Sequence, residues 1–500
     1  MLAIDQGTTN TKALLISKAG EVVARASRRV SISYPAPGWV EQEANELWRS
    51  VNEVIAECLE KTSGATIGAI GISNQRESVV AWDRRTAMPV GPCIIWQCRR
   101  TTGRCRELLE SEYAALIREL SGLGIDPLFS AAKAEWLLHH TEDGRRRARD
   151  GEILVGTVDS WLLWNLTRGA VHATDVSNAS RTQLMNLSRA QWDGQLLNVF
   201  GVPAACLPEI RPSSGIFAET AACDPIPAGI PIAALAGDSH AALFGHAAFQ
   251  PGAVKATYGT GSSLMSLTDG VLTSHHGLSS TIAWGLNGAI SYALEGNITN
   301  SGATLDWMSR FLRHETTAAT AAVAGSLSDS GGVYIVPAFA GLGAPHWDPL
   351  ARGVITGLTG ASTAEHAARA ALESIAYQVN DVLIGMKKDM HRELPELLTD
   401  GGASANDVLM QFQADISDCT ILRSASSDLS ARGAAWLAGL AVGQWNSLDE
   451  LQELRGQIDR FTPSMRAARR QELLAGWYDA LARSRSANHA RDRLATGQSR

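Results

Sequence analysis

The 500-residue sequence has no long hydrophobic run: its most apolar stretch, residues 434–442, is about half of the roughly 18 residues that a membrane-spanning helix needs. Its first residues, MLAIDQGTT, contain neither the basic region nor the apolar region of a secretion signal. Cysteine is scarce, and seven residues at scattered positions argue against a disulfide framework. These absences predict a cytoplasmic protein with reduced thiols and no membrane insertion.

Charge of neither sign dominates the sequence. Lys and Arg number 44 against 51 Asp and Glu, and a net charge of −7 gives no reason to expect a nucleic-acid partner. A G-x-x-x-x-G-K-[ST] phosphate loop is absent, and the histidines and cysteines lack the spacing of a metal site. With 45% hydrophobic residues, most of the chain can form packed cores. The polar residues 483–500 are the exception, and we expect them to be a disordered tail.

The order of predicted elements indicates an α/β fold with mixed sheets. Apolar alternation and turn residues predict strands at 2–5, 13–16, 21–32 and 67–72, with a helix at 47–59 before the last of them. The first strand and turn, AIDQGTTN, have an echo about half the chain later in KATYGTGS. The repeat favours two related domains around a cleft, residues 1–248 and 249–482, although Gly-Thr turns also recur by chance.

Three glycine-rich turns at predicted strand ends suit phosphate binding. In Asp5–Asn10, backbone N–H groups and two threonine hydroxyls can face phosphate oxygens, and the carboxylate of Asp5 can hold a water on Mg²⁺. Gly259-Thr260-Gly261 and Gly401-Gly402 would allow two more close backbone approaches to a nucleotide. Each turn alone is more often only a turn, but the three together favour a nucleotide site.

Four further residues suggest a hydroxyl-bearing substrate. Asp238 follows an apolar strand and can accept a proton from a hydroxyl nucleophile, although a helix N-cap is the simpler alternative. Arg76 and Glu77 form an adjacent ion pair at a strand end, and their donors and acceptors suit a vicinal diol. Trp96 can cover the carbon face of a polyol. A surface salt bridge and a core tryptophan are the alternative interpretation.

Beyond these short patterns, long ordered stretches resemble the FGGY carbohydrate kinases, and among them the kinases of glycerol. The resemblance covers about residues 2–480 and is carried by AIDQGTTNTKA, GISNQRES, IIWQCRRT, GTVDSWLLWNLT, AGDSHAALFGH, YGTGSSLM, PAFAGLGAPHWDPLARG and DGGASANDVLMQFQAD. It implies two duplicated ribonuclease-H-like domains, of the actin, hexokinase and Hsp70 type, with ATP in the cleft between them. It also implies a homodimer or homotetramer.

The resemblance implies a role for each matching residue. Asp5 would organise Mg²⁺, Asp238 would be the general base, and Arg76, Glu77 and Trp96 would hold the polyol with it. The phosphates and the nucleoside of ATP would be contacted by Thr8, Thr9, Asn10, Lys12, Gly259, Thr260, Gly302, Asp306, Gly402 and Asn406. Of these, Asp306 stands where glycerol kinases usually carry Gln.

Three substrate-binding positions depart from the glycerol kinases. Leu128 stands where they have Tyr, Ser239 where they have Gln, and Ser263 where they have Phe, so all three side chains are smaller. A substrate hydroxyl facing Leu128 would be unpaired, at a cost of about 1–3 kcal/mol. A tetritol, tetrulose, pentitol or pentulose therefore stays open as an alternative to glycerol.

The sequence thus predicts an ATP- and Mg²⁺-dependent kinase that phosphorylates a primary hydroxyl of a small polyol, most simply glycerol to glycerol 3-phosphate. Two other classes stay open. An actin- or chaperone-like ATPase shares the fold but gives no role to Arg76, Glu77 and Trp96. A catalytically idle polyol sensor would need neither Asp5 nor Asp238. Only four residues precede Asp5, which is short for a first strand, so we expect the natural start to lie upstream.

Overall fold

The computed structural model describes residues 1–62, 66–222 and 225–486. The strands of the first half of the chain are β1 Leu2–Gln6, β2 Asn10–Ile16, β3 Val22–Arg29, β4 Glu41–Gln42, β5 Ile70–Asn74, β6 Val79–Asp83, β7 Cys93–Ile94, β8 Ile153–Thr157, β9 Ala173–Asp175, β10 Met185–Asn186, β11 Gln191–Trp192, β12 Glu209–Arg211, β13 Ser214–Glu219 and β14 Pro231–Gly237. Those of the second half are β15 Val254–Tyr258, β16 Ser262–Thr268, β17 Ser279–Leu286, β18 Ala289–Ile298, β19 Tyr334–Val336, β20 Val354–Thr356, β21 Glu396–Asp400, β22 Thr420–Ser424 and β23 Ile458–Phe461.

The helices lie between these strands and cover the sheets. Those of the first half are α1 Ala44–Glu60, α2 Thr102–Leu109, α3 Tyr113–Ser121, α4 Ser130–His140, α5 Gly144–Arg149, α6 Val158–Leu166, α7 Val176–Ala179, α8 Gly194–Phe200 and α9 Asp238–Gly245. Those of the second half are α10 Gly302–Leu312, α11 Thr317–Gly325, α12 Ala364–Met390, α13 Asp407–Ser417, α14 Leu429–Ala441, α15 Leu448–Glu453 and α16 Ala467–Ser484.

The two large sheets repeat one topology. The strand order is β3-β2-β1-β5-β14-β13 in the first half and β18-β16-β15-β21-β22-β23 in the second, where β17 is added beside β18. In the first sheet, β1–β5 and β5–β14 are parallel pairs and the flanking pairs are antiparallel. The corresponding pairs of the second sheet have the same directions. This match confirms the two related α/β units that the repeat predicts.

The patterning of the first sheet explains why its strands could be recognised. The central strands β1, β5 and β14 are buried over almost their whole length, and their sequences are runs of apolar and small residues such as IAALAG at 232–237. The edge strand β3 has the sequence VVARASRR and buries only Ala24 and Ala26. Helix α1 buries Leu47, Val51 and Ile55 on one face, at the helical spacing that predicted it.

One helix of the second half packs on the first sheet. Helix α14 lies against β1, β5 and β14 and runs along α9. The two helices touch backbone to backbone, because a Cβ atom at Gly433 would lie 1.8 Å from the carbonyl oxygen of Ala241. A shared apolar cluster that includes Phe244, Trp284 and Trp436 joins the halves behind the cleft. Residues 434–439 of the most apolar run of the sequence are therefore buried, and residues 440–442 are partly buried.

The last helix changes one expectation about the C-terminus. Arg483 and Ser484, predicted to begin a disordered tail, complete α16, whose Leu473 and Trp477 are buried in the second half. Residues 487–500 lie outside the described residues. In the ranges that the structure describes, six cysteines are free thiols, and Cys223 lies outside those ranges. No helix in the same ranges is both long and apolar enough to cross a membrane.

Candidate active site

The β1–β2 turn holds the first group of predicted site residues. The Gly7 N–H donates to the Asn10 carbonyl at 2.9 Å and closes the turn. Thr9 and Asn10 are exposed, and the side-chain amide of Asn10 donates to Thr9 Oγ1 at 3.2 Å. Thr8 Oγ1 accepts from the indole Nε1 of Trp96 at 2.8 Å. The predicted phosphate turn and the predicted polyol cover are therefore in direct contact.

Asp5, the last residue but one of β1, lies among several charges. Ser73 Oγ, on the parallel neighbour β5, donates to Asp5 Oδ1 at 2.9 Å. Burial raises the pKa of Asp5 to about 6, with Lys12 opposing this rise and Asp238 and Asp428 adding to it. This carboxyl group therefore has other negative charges near it, which a bound cation would relieve.

Lys12, predicted to line the phosphates, faces Asp5 across the hairpin and reaches the second half of the chain. Its Nζ donates to Asp428 Oδ1 at 3.1 Å, and Arg25 contacts the other oxygen of the same carboxylate. The side chain of Asp428 is 3% exposed and lies just before α14. Sequence reasoning missed Asp428, because an Asp before a helix suggests only a cap.

Arg76 and Glu77 are both buried and have other partners, so the predicted adjacent ion pair and the alternative of a surface salt bridge are both wrong. Arg76 donates from Nε to Asp238 Oδ1 at 3.0 Å and from Nη1 to Glu295 Oε1 at 2.5 Å. Glu77 accepts from Arg181 Nε at 2.7 Å. Successive side chains of an extended chain point to opposite sides, and the backbone of Glu77 is turned further by its φ of 59°. Neighbours in sequence thus have different partners.

Glu295 connects these two pairs. Its Oε2 lies 2.7 Å from Arg181 Nη2, as an ion pair that lacks hydrogen-bond geometry at both atoms. Although burial acts to raise it, Arg181 and Arg76 hold the pKa of Glu295 well below its usual range. Glu295 and Arg181 were missed by sequence reasoning. The available signals were a glutamate inside the apolar strand YALEGNI and an arginine in the buried segment TDVSNASRT.

A glycine allows Arg76 to reach Asp238. A Cβ atom at Gly237, at the end of β14, would lie 2.6 Å from Arg76 Cγ. Asp238 follows as the first residue of α9, and its Oδ1 also accepts from the Ser239 N–H at 2.7 Å. Gly237 itself is the N-cap, so the alternative that Asp238 caps this helix is wrong. The Asp238 side chain is 37% exposed, so a molecule in the cleft can reach it.

Ser239 and Ser263 belong to one polar chain beside Asp238. Ser239 Oγ donates to Ser263 Oγ at 3.0 Å, and Ser263 Oγ donates to Glu295 Oε1 at 3.0 Å. Lys255 Nζ, fully buried in β15, donates to Ser239 Oγ at 3.1 Å and to Thr257 Oγ1 at 3.0 Å. Burial lowers the pKa of Lys255 to about 8. Hydroxyl groups thus form a polar wall next to the exposed carboxylate.

Leu128 lies half-buried in the loop before α4. Its carbonyl accepts from the buried Lys133 Nζ at 2.6 Å. The next residue, Phe129, lies under the Arg181 guanidinium at 5.1 Å from its ring centre. Ser130 Oγ then donates to the Glu77 carbonyl at 3.2 Å. The loop that carries Leu128 is therefore packed against the Glu77–Arg181 pair.

The predicted nucleotide residues gather at the ends of β15 and β21. The Gly259 carbonyl accepts from the Gly302 N–H at 2.9 Å, so the turn of Gly259 and Thr260 abuts the start of α10. Gly401 has a φ of 91° and packs on the Tyr258 backbone, which L side chains could not do. At Gly402, an added Cβ atom would meet nothing within 4 Å. This edge therefore leaves open space beside closely packed backbone.

Two other predicted nucleotide contacts have local partners. Asn406 is the N-cap of α13, and its Oδ1 accepts from the Leu409 N–H at 2.9 Å. Asp306, on α10, is exposed and accepts from Thr317 Oγ1 at 2.5 Å. Asp306 lies about one helical turn after Gly302 in α10, and Asn406 follows Gly402 by four residues. Each of the two side chains forms one hydrogen bond here, so each has further donors or acceptors for a ligand.

Comparison with known proteins agrees with this arrangement. Models of the N-terminal and C-terminal domains of the FGGY family of carbohydrate kinases match residues 1–245 and 254–442. Glycerol kinase 2 of Thermotoga maritima is 47% identical over 97% of this chain and 98% of its own length. Glycerol kinase of Bacillus cereus is 46% identical over 96% of this chain and 98% of its own length.

Solved structures show the same fold. Plasmodium falciparum glycerol kinase with ADP superposes with a TM-score of 0.89 at 33% identity, covering 97% of both chains. Xylulose kinase from Lactobacillus acidophilus superposes with a TM-score of 0.84 at 22% identity, covering 100% of this chain and 98% of its own. The second likeness concerns the fold alone.

Proposed function

Because the chain belongs to the FGGY family of carbohydrate kinases, we propose that it transfers the γ-phosphoryl group of ATP to a primary hydroxyl of a small polyol, converting glycerol to glycerol 3-phosphate. Two relatives at 46–47% identity over nearly their full length are named glycerol kinases. The observation that carries the proposal is the partly exposed Asp238 carboxylate, held by the buried Arg76.

Asp238 is the proposed general base. Its Oδ1 is engaged by Arg76 and by the Ser239 N–H, whereas Oδ2 has no hydrogen-bond partner among the described residues. The free oxygen can accept the proton of a substrate hydroxyl as the phosphoryl group transfers. Arg76, Glu77 and Trp96 would hold the remaining hydroxyls and the carbon chain. Phosphoryl transfer then depends on position and charge neutralisation.

The phosphates would lie between the two related turns. Thr8, Thr9, Asn10 and Lys12 would contact them from the first half, and Gly259 and Thr260 from the second. Gly302, Asp306, Gly402 and Asn406 would contact the nucleoside. The open space at Gly402 supports this assignment.

The charges around Asp5 fit a magnesium ion. Asp238 and Asp428 both raise the pKa of Asp5, so a cation beside these carboxylates would relieve their mutual repulsion. Mg²⁺ usually binds through one or two carboxylates, phosphate oxygens and several waters. Asp5 would hold the ion through a water, and bound Mg²⁺ would neutralise phosphate charge. The homodimer or homotetramer stays a prediction.

A four- or five-carbon polyol or ketose is the second candidate substrate. The observation that favours it is the polar wall of Ser239, Ser263 and Lys255 beside Asp238. Extra hydroxyls of a longer substrate could form hydrogen bonds with this wall. With glycerol bound, the polar groups of the wall would bind only to one another. Leu128, which is apolar and smaller than the Tyr that glycerol kinases have at this position, lies near the Glu77–Arg181 pair.

A coupled ADP-release assay with ATP and Mg²⁺ separates the two candidates. The acceptors are glycerol, dihydroxyacetone, erythritol, threitol, erythrulose, xylulose, ribulose and arabitol. The highest kcat/KM for glycerol supports the glycerol kinase assignment. A longer acceptor that exceeds glycerol by tenfold, or about 1.4 kcal/mol in transition-state free energy, refutes it. No acceptor-dependent ADP release would refute the kinase proposal itself.

The variant Ser239→Gln/Ser263→Phe tests which residues set this preference. Larger side chains at both positions shorten the space next to Asp238. We expect the ratio of glycerol to four-carbon kcat/KM to rise, since the longer acceptors lose both space and hydroxyl partners. An unchanged ratio would show that the polar wall does not contact the substrate.

A further inference from the structure

A second concave site lies in the first half of the chain, away from the cleft. A cavity of about 380 Å³ is lined by Arg84 and Arg85 after β6 and by Trp164, Arg168 and His172 around the turn that follows α6. Strand β6 leads from near Glu77 to this cavity. At about 3.3 Å per residue, the cavity is about 20 Å from the polyol residues. It is therefore a separate site.

The cavity carries positive charge without a matching acid. Arg84, Arg85 and Arg168 are exposed, and none has an ion-pair partner in the part of the chain that the structure describes. The nearest acid along the chain, Asp83, is already engaged. It accepts from Arg147 at 2.7 Å and from the backbone of its own turn.

The other acids near the cavity are engaged as well. Glu152, whose carbonyl accepts from the Arg84 N–H, has its carboxylate 3.4 Å from Arg147 Nε. The backbone N–H of Glu209 donates to the His172 carbonyl, and the Glu209 carboxylate accepts from Arg211 at 2.5 Å. The C-terminal end of α6 contributes a partial negative charge, which is smaller than three full positive charges.

Two ring atoms of the lining residues are buried and lack hydrogen-bond partners among the described residues. They are Trp164 Nε1, a donor, and His172 Nε2. Burial and the nearby Arg84 lower the pKa of His172 to about 3, so its ring is neutral at neutral pH. Buried polar atoms nearly always have partners. Three guanidinium groups without ion-pair partners in the described ranges surround one open space, and this arrangement indicates a site for an anionic ligand.

We propose that this cavity binds a phosphorylated small molecule through its phosphate group. Guanidinium groups are the preferred partners of phosphate, because their planar donors match its oxygens. The phosphate would lie among Arg84, Arg85 and Arg168, and the rest of the ligand would lie toward Trp164 and His172. A volume of about 380 Å³ is larger than one phosphate needs and is in the range of small-molecule sites.

Calorimetric titration of the full chain with pyrophosphate tests the proposal. The titration is done without Mg²⁺, which pyrophosphate would chelate, and without nucleotide, which would compete for the cavity through its own phosphates. Besides any binding in the cleft, we expect one site whose affinity falls as salt is raised. We expect Arg84→Ala/Arg168→Ala to weaken it at least tenfold. Both side chains are exposed, so an unchanged melting temperature without ligand would show that the variant is folded.

Arg149→Ala is the matched control. Arg149 is an exposed arginine of the same half, at the end of α5, and does not line the cavity. This variant has one positive charge fewer, and it should bind pyrophosphate as the unmodified chain does. Absence of binding to the unmodified chain, or equal loss in Arg149→Ala and Arg84→Ala/Arg168→Ala, would overturn the proposal.

Discussion

Replacing Glu295 with glutamine tests whether the buried ion network holds the polyol residues. Glu295 is fully buried, accepts from Arg76 and Ser263, and forms an ion pair with Arg181. Glutamine keeps the shape but removes the charge that both arginines share. Its amide nitrogen cannot accept a hydrogen bond, so at least one guanidinium contact is lost.

The magnitude of this change follows from the remaining pairs. Removing one partner of a buried ion pair usually costs about 3–5 kcal/mol. Arg76 keeps Asp238 and Arg181 keeps Glu77, so we expect the lower end, about 3 kcal/mol. For a unit of about 245 residues this lowers the Tm by about 6–10 °C.

The catalytic effect should be larger in KM than in kcat. Arg76 would lose one of its two anchors, so its donors would be held less firmly toward the substrate, and we expect the polyol KM to rise about tenfold. The assays are thermal unfolding without ligand and steady-state kinetics over a range of polyol concentrations.

Glu373→Gln is the matched control for that experiment. Glu373 is also buried and accepts from Arg369 at 2.7 Å, but both lie in α12 and outside the network. It should lose stability and keep the KM. A Tm within about 2 °C of the unmodified protein together with an unchanged KM for Glu295→Gln would refute the reasoning.

Three further changes have defined outcomes. Asp238→Asn should bind polyol nearly normally, as measured by calorimetry. Its kcat in the ADP-release assay should fall at least about 10²-fold, the range for losing a general base. Normal turnover would remove Asp238 from the mechanism. Because the folded pKa of Lys255 is about 8 and the unfolded value is about 10.4, the unfolded state binds more protons in this window. Stability should therefore rise from pH 8 to 10, and Lys255→Met should flatten that rise in urea midpoints; a rise of equal slope would contradict the assignment. Gly433→Ala should lower the Tm by several degrees, because its Cβ would overlap the Ala241 carbonyl, whereas Gly103→Ala, with nothing within 4 Å, should not.

Local patterns were enough to predict much of the fold. The AIDQGTTN and KATYGTGS turns correspond to equivalent hairpins of the two sheets. Alternation, helical spacing and turn residues located most of the strands and helices near these turns. The packing of α14 on the first sheet was not predictable, because an apolar helical pattern shows that one face is buried but not which sheet covers that face. Only Gly433, which needs a close backbone neighbour, carried a local signal.

The candidate site was predicted less completely, and for a physical reason. Asp238 and Trp96 could be selected because strand ends and apolar runs are visible in sequence. Glu295 and Arg181 could not, since their roles depend on contacts with residues far away in the chain. The error on Arg76 and Glu77 has the same origin. Ion pairs are set by distance in space, and strand geometry separates neighbours in sequence.

The ion network also limits how the two halves can move. Arg76 and Asp238 belong to the first half, whereas Glu295 and Ser263 belong to the second, so the polyol residues are fixed by a carboxylate from across the cleft. The Gly433–Ala241 contact between α14 and α9 joins the halves nearby. A rotation of one half against the other that keeps both contacts therefore costs less than one that breaks them.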